Sequence, residues 1–196
     1  CFKAELGMFN VRLARMSLSG ELAYEINCQS SEHAALRRAL LAAGENFGIK
    51  EIGSNAVLSM RLEKGVGIWS REFTQSYTPG MTGLDRWIDW SKADFIGKDA
   101  ALNAKTSSRV LAMLEVDADD SDSHGFEPVF KNDRVVGMTT SGGYGHRLKK
   151  SFAIALIDRP LAVEGQQLTV HIVGKAQSAV VVGLSPYDSS GNKMRL

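Results

Sequence analysis

Two stretches decide the fold, SLSGELAYEI at Ser17–Ile26 and LSMRLEKGVGIWSREFTQSYTP at Leu58–Pro79. The first is typical of two strands joined by a tight turn. Gly20 suits the turn because glycine takes positive φ at little steric cost. The second begins with helical spacing and continues as an irregular segment rich in aromatic residues. Together they predict an α+β protein rather than a doubly wound sheet.

Glu25 lies on the polar side of the predicted returning strand. Alternation with Leu22, Tyr24 and Ile26 puts its carboxylate on the face opposite these apolar side chains. An ionised carboxylate offers two acceptor oxygens, which suit a guanidinium or the N–H and NH2 edge of an aminopyrimidine ring. The pattern leaves two interpretations open: a solvated Glu25, or a Glu25 that points into a binding pocket.

Composition excludes several classes of function. A net charge of +1 over 196 residues gives no footprint of a nucleic-acid binder. No apolar run approaches the roughly 20 residues that span a bilayer, so we expect no membrane partner. The two cysteines lack a CxxC spacing, which favours idle thiols in a reducing compartment, and we expect a cytoplasmic location. The four histidines are scattered without ligand spacing, so we predict no metal.

The first hundred residues favour helices and a few strands. Apolar spacing predicts a helix capped by Ser30 or Ser31 that runs to about residue 47, and another over residues 54–65. The aromatic segment that follows contains all three tryptophans. Core packing is the default for Trp87 and Trp90, whereas Trp69 follows a glycine pair and is more open. A short helix near residues 97–104 leads to a linker, KTSS.

From residue 109 the pattern changes to strands, which we predict at 110–116, 134–140, 152–157, 168–173 and 178–184. Short strands at such intervals suggest a small antiparallel barrel. The sequence thus divides into residues 1–104 and a β-barrel domain over 105–196. The glycine-rich phrase SGGYGHR lacks the closing Lys-Ser/Thr of a phosphate loop. No nucleophile and base can be paired by spacing, and we identify no catalytic residue.

Six phrases in order resemble the glycine-cleavage T-protein (aminomethyltransferase) family, and most of all the T-protein-like region of dimethylglycine and sarcosine dehydrogenases. They are SGELAYEI, SMRLEKG, YTPGMTGLDRWIDW, DFIGKDAAL, TTSGGYGHRLKKSFAIALI and SPYDSSGNKMRL. The resemblance implies that residues 1–104 are part of the folate-binding domain and that the barrel is the family's C-terminal domain. It also implies that the N-terminal part carrying the family's catalytic Asp has no counterpart in this sequence.

The resemblance implies tetrahydrofolate as the cofactor, which would capture a carbon unit from an N-methyl amine. Glu25 falls at the position that accepts hydrogen bonds from the pterin ring. Trp69 falls at an aromatic position suited to lining the site, and the region of Tyr187 closes the other side. An upstream oxidoreductase domain carrying FAD is compatible with the dehydrogenase branch, outside these residues.

Three departures from the family pattern bear on folate binding. Leu18 replaces an aromatic residue, Val57 replaces an arginine that could bind the folate glutamate tail, and Met81 replaces an acidic residue. They argue against a conventional glycine-cleavage enzyme. Two alternatives therefore stay open: a non-catalytic scaffold or interaction module of the same fold, and a folate-dependent S- or O-demethylase.

Overall fold

The computed structural model describes residues 1–195. Its N-terminal part opens with an antiparallel sheet in the order β1-β2-β3, formed by Phe2–Leu6, Phe9–Ala14 and Glu25–Asn27. Alternate residues of β2 are buried, and Phe9 and Val11 form a small core with Leu36 of the following helix. This period-2 burial is what a sheet with one covered face requires.

The segment between β2 and β3 departs from the sequence prediction. Only Glu25–Asn27 of the predicted returning strand pairs, with Ile26 opposite Leu13, and the segment before it forms no strand. The predicted tight hairpin turn is therefore wrong, although Gly20 does have a φ of 81°. The Glu21 side chain accepts hydrogen bonds from two residues of the C-terminal half, which draws this segment away from β2.

Helices α1, His33–Gly44, and α2, Ser54–Lys64, confirm the two long predicted helices. Helix α1 continues as a 3₁₀ turn and ends at Gly48, which is left-handed with a φ of 70°. Its N-cap is Glu32 without a side-chain hydrogen bond, so the predicted serine cap is wrong. None of the helices within residues 1–195 is long and apolar enough to cross a membrane.

In the aromatic segment, α3 at Pro79–Thr82 lies against the second half of the chain and is followed by a 3₁₀ turn at Leu84–Trp87. Helix α4 at Lys98–Asn103 confirms the predicted short helix. The predicted core position of Trp87 is wrong, since this side chain is 76% exposed. Trp90 is half-buried and its indole N–H donates to the carbonyl of Asp85.

The second half is a closed barrel of six antiparallel strands in the order β4-β7-β6-β5-β8-β9. The strands are Arg109–Val116, Pro128–Lys131, Arg134–Gly145, Lys150–Asp158, Gln167–Ile172 and Lys175–Val182, numbered β4 to β9. The α+β class and the barrel are thus confirmed. Five strands match the prediction and β5 was missed. The division between residues 104 and 105 stays a prediction.

Two faces of the barrel wall are apolar. Its interior is filled by small and branched side chains such as Leu114, Val136 and Val170. A second cluster lies outside the wall and joins Met113 and Ile154 to Leu62 of α2. Because β4 and β7 are buried on both faces, they read as continuous apolar runs. The N-terminal part packs on this outer face, and the candidate site lies along that contact.

Candidate functional site

The last turn of α2 fastens the helix to the rest of the molecule. Its four residues, Arg61 to Lys64, are all at least nine-tenths buried. The Glu63 carboxylate accepts hydrogen bonds from the backbone N–H groups of Arg147 and Leu148, at 2.9 and 2.7 Å. The Lys64 ammonium donates to the carbonyl of Asp188 at 2.6 Å. One helical turn therefore holds both the β6–β7 connection and the C-terminal tail.

Arg61 forms a buried ion pair with Glu72, and the two nearest atoms are 3.4 Å apart. Glu72 is fully buried and also accepts hydrogen bonds from the hydroxyls of Thr140 and Ser141 and from the N–H of Ile68. Burial lowers the pKa of Arg61 below its ordinary value, and the Glu72 charge opposes that shift. The network joins the irregular segment after α2 to strand β6.

Gly65 ends α2 and lets the tail cross it. Its φ is 73°, and a Cβ at this position would lie 1.6 Å from the carbonyl oxygen of Leu184. Only glycine fits, both for its left-handed backbone and for this close approach. The tail consequently runs over the end of α2.

A cavity of about 510 Å³ lies where the end of α2, the α3 segment, the barrel wall and the tail meet. Its apolar floor comes from Leu111, Met113 and Ile154 of the barrel. Residues 65–67, 82–84 and 189–191 line its sides, with Arg86 and Arg195 beside them. Its volume is within the range of pockets that bind small organic molecules.

Tyr187 anchors the tail in a cluster of charged side chains beside this cavity. Its hydroxyl donates to Glu21 and accepts hydrogen bonds from Arg147 and, at 2.9 Å, from Lys193. Both cations also lie close to its ring, whose centroid is 4.5 Å from the Arg147 guanidinium carbon and 5.0 Å from the Lys193 ammonium. The hydrogen bond from Tyr187 lowers the pKa of the Glu21 carboxyl, burial opposes this shift, and the hydrogen bond and charge of Arg147 add to the lowering.

The three residues predicted to bind folate are in different surroundings. Glu25 is exposed at the start of β3, and its Oε1 accepts a hydrogen bond from the Asn27 side chain at 3.1 Å. Trp69 is 81% exposed and meets Phe73 edge to face. Tyr187 is buried in the cluster just described. All three roles stay predictions.

None of these three residues is part of the cavity lining. Trp69 comes two residues after Gly67 and Tyr187 two residues after Ser185, and both of these neighbours line it. Glu25 pairs with Ala14, and Ser17 lines the cavity. Three residues of extended chain span at most about 11 Å, so Ala14, the partner of Glu25, lies within that distance of Ser17.

Sequence reasoning missed the buried charges. The residue pattern singles out none of Glu63, Lys64 and Glu72. Consecutive charged residues at a helix end are usually solvated, so the sequence carried no signal of their burial. The glycine-rich phrase is part of strand β6: Gly142 pairs with Ala153 of β7, and a Cβ at Gly142 would lie 2.4 Å from the Ser123 hydroxyl oxygen.

Within residues 1–195, no group of three or more His, Cys, Asp or Glu side chains could hold a metal ion. The cavity instead combines an apolar floor with cationic and glycine-lined sides. Such a surface suits a planar organic molecule with a polar end.

Two family models match the chain. The GCVT N-terminal domain matches residues 1–92, and the Glycine cleavage T-protein C-terminal barrel domain matches residues 109–188. The chain belongs to the glycine cleavage T-protein family.

Among its relatives, the mitochondrial dimethylglycine dehydrogenase of Homo sapiens is 37% identical over 88% of this chain and 20% of that protein. The aminomethyltransferase of Caldanaerobacter subterraneus subsp. tengcongensis is 31% identical over 97% of this chain and 51% of that protein. The crystal structure of glycine cleavage system aminomethyltransferase T from Bartonella henselae superposes with a TM-score of 0.82 at 25% identity, covering 90% of this chain and 50% of that one. The chain thus spans about half or less of the length of these relatives.

Proposed function

We propose that this chain is the tetrahydrofolate-binding region of an enzyme that transfers a one-carbon unit taken from an N-methyl amine. The observation that carries the proposal is the cavity between the two parts of the fold, in a chain whose relatives are named dimethylglycine dehydrogenase and aminomethyltransferase. A flavin-dependent oxidoreductase domain elsewhere in the intact protein would release the carbon unit. A cytoplasmic location stays a prediction.

The residues present fit a folate. The apolar floor of the cavity can cover an aromatic ring, and its volume leaves room for a planar group. Bound tetrahydrofolate would supply the ring nitrogens that accept the carbon unit. The protein's contribution is to bind and orient the ring and to exclude water from its inner side.

Each predicted residue has a distinct part in this proposal. Among the described residues, no donor forms a hydrogen bond with Oε2 of Glu25. This oxygen can therefore accept a hydrogen bond from the N–H and NH2 edge of a pterin. The exposed ring of Trp69 offers a face for stacking. Tyr187 supports the tail that forms one wall of the cavity.

The departures from the family pattern have different structural consequences. Met81 packs against the outer barrel cluster, so its apolar character is explained by the fold. Leu18 is 47% exposed and offers no ring for stacking. The scaffold alternative rests on Leu18 and on the valine that replaces an arginine at position 57. The S- or O-demethylase alternative differs from the proposed function only in the methyl donor.

Thermal unfolding in the presence of tetrahydrofolate tests the proposal. A ligand at 100 times its dissociation constant stabilises the folded state by about 2.7 kcal/mol. For a protein of this size that corresponds to a rise in Tm of roughly 5–10 °C. Glu25→Gln should reduce the rise, and Glu5→Gln, an exposed carboxylate on β1 of the same sheet, should not. If saturating tetrahydrofolate leaves the Tm of the wild-type protein unchanged, the proposal is wrong and the scaffold alternative is favoured.

A further inference from the structure

The charges that line the cavity do not balance. Glu72 is compensated by Arg61, and Lys64 lies 3.6 Å from the Asp188 carboxylate. Arg86 and Arg195 also line the cavity, and neither forms an ion pair with another residue of the range 1–195. The uncompensated charge at the cavity is therefore positive.

The α3 segment, which directly precedes the turn that carries Arg86, is well anchored. The carbonyl of Gly80 in α3 accepts a hydrogen bond from the Arg159 guanidinium at 2.9 Å, and Thr78 bonds to Ser107 through their hydroxyls at 3.2 Å. These contacts fix the α3 segment to the barrel. The Arg86 side chain itself is exposed, and its guanidinium carbon lies 5.6 Å from the Trp87 ring centroid. A fixed backbone with an unpaired cation is suited to binding a ligand rather than to holding the fold.

We propose that Arg86 is the carboxylate-binding residue of this cavity and fixes the anionic end of its ligand, with Arg195 contributing a second positive charge. A guanidinium matches a carboxylate with two parallel N–H···O bonds, which an ammonium cannot do. The occupant is then an organic anion with an apolar body over Met113 and Ile154 and a carboxylate at the rim.

This inference rests on the proposed function, because the glutamate of tetrahydrofolate is such an anionic end. The arginine expected at position 57 is a valine in this chain, so helix α2 cannot supply that guanidinium. Arg86 supplies one from the 3₁₀ turn at Leu84–Trp87 instead. The chain would thus retain recognition of the folate tail with a different residue.

Calorimetric titration with two ligands separates this role from a structural one. Tetrahydrofolate is compared with its glutamate dimethyl ester, which keeps the rings but has no charge on the tail. The wild-type protein should bind the acid about tenfold more tightly than the diester. Arg86→Gln should lose that preference by weakening the acid alone, and Arg86→Lys should restore part of it. Arg38→Gln, an exposed arginine on α1, is the matched control and should change neither affinity.

The outcomes distinguish this inference from the proposed function. If wild type binds both ligands equally, or Arg86→Gln weakens both equally, Arg86 does not recognise the carboxylate and only the inference is wrong. If Arg86→Gln binds the acid as wild type does, the inference is also wrong while folate binding stands. Wild-type protein that binds neither ligand would overturn both.

Discussion

The buried Arg61–Glu72 pair allows a prediction about stability to be worked through from the structure. In Glu72→Gln the Arg61 guanidinium keeps its charge but loses its carboxylate partner. The Arg61 side chain is only 6% exposed, so water cannot replace that partner. The amide also has one acceptor oxygen where the carboxylate has two, so the Ile68 N–H or the hydroxyl donors lose a partner. Removing one partner of a buried ion pair costs about 3–5 kcal/mol.

The free energy of unfolding should be measured by urea titration followed by far-UV circular dichroism. A loss of this size should lower the urea midpoint by roughly 1–2 M. The matched control is Glu51→Gln, which breaks the Arg37–Glu51 pair, whose side chains are 52% and 56% exposed. An exposed pair contributes less than about 1 kcal/mol. If Glu72→Gln costs no more than Glu51→Gln, the reasoning about the buried network is refuted.

Three further predictions concern the tail and pH. Gly65→Ala should lower the free energy of unfolding by about 3 kcal/mol or more, because the added Cβ clashes with the backbone and the residue has a positive φ. Gly48→Ala, where φ is also positive but the space around the Cβ is open, should lower it by only about 1 kcal/mol in the same urea assay. Tyr187→Phe removes the hydroxyl that donates to Glu21, so it should lower the free energy of unfolding by about 1 kcal/mol and speed trypsin cleavage of the tail. An unchanged cleavage rate would count against the anchoring role. Burial raises the pKa of the Glu127 carboxyl, but hydrogen bonds from hydroxyl and N–H groups outweigh it and leave the pKa lowered. Glu127 therefore stabilises the folded state at pH values above the pKa that it has in the unfolded chain, and this contribution is lost as the pH falls through the lower pKa of the folded state. The difference in free energy of unfolding between wild type and Glu127→Gln should consequently shrink between pH 7 and about pH 3.5.

The sequence predicted elements whose signals are local. Helix α2 combines a polar start with a left-handed glycine at its end, and both are visible in the sequence. Five barrel strands are long and apolar enough to be recognised. Strand β5 has only four residues and begins with a proline, so nothing in its pattern distinguishes it from a loop.

Features that depend on distant contacts could not be predicted. The segment around Glu21 leaves the predicted hairpin because it binds Arg147, which is 126 residues away along the chain. The Glu72 hydroxyl partners lie 68 and 69 residues further on. Trp87 is exposed although its size favours burial, because the 3₁₀ turn that carries it lies at the surface. Residue spacing carries no information about such pairings.

The site was predicted in outline only. Resemblance to the family selected Glu25, Trp69 and Tyr187, and none of the three is in the lining of the cavity. Arg86 was not singled out as a ligand-binding residue, since an arginine next to an aspartate in an aromatic segment is usually solvated. Its importance depends on which charges around it are paired, and only coordinates show that.

The central claim is that this fold binds tetrahydrofolate and that Glu25 recognises the pterin edge. Calorimetric titration of tetrahydrofolate into the full-length protein, as wild type, Glu25→Ala and the control Glu5→Ala, tests it most directly. Losing charge-assisted hydrogen bonds should cost about 2 kcal/mol or more, which is roughly a thirty-fold loss of affinity in Glu25→Ala alone. Wild-type affinity retained in Glu25→Ala would contradict the assigned site, and absence of binding to the wild-type protein would contradict the folate function itself.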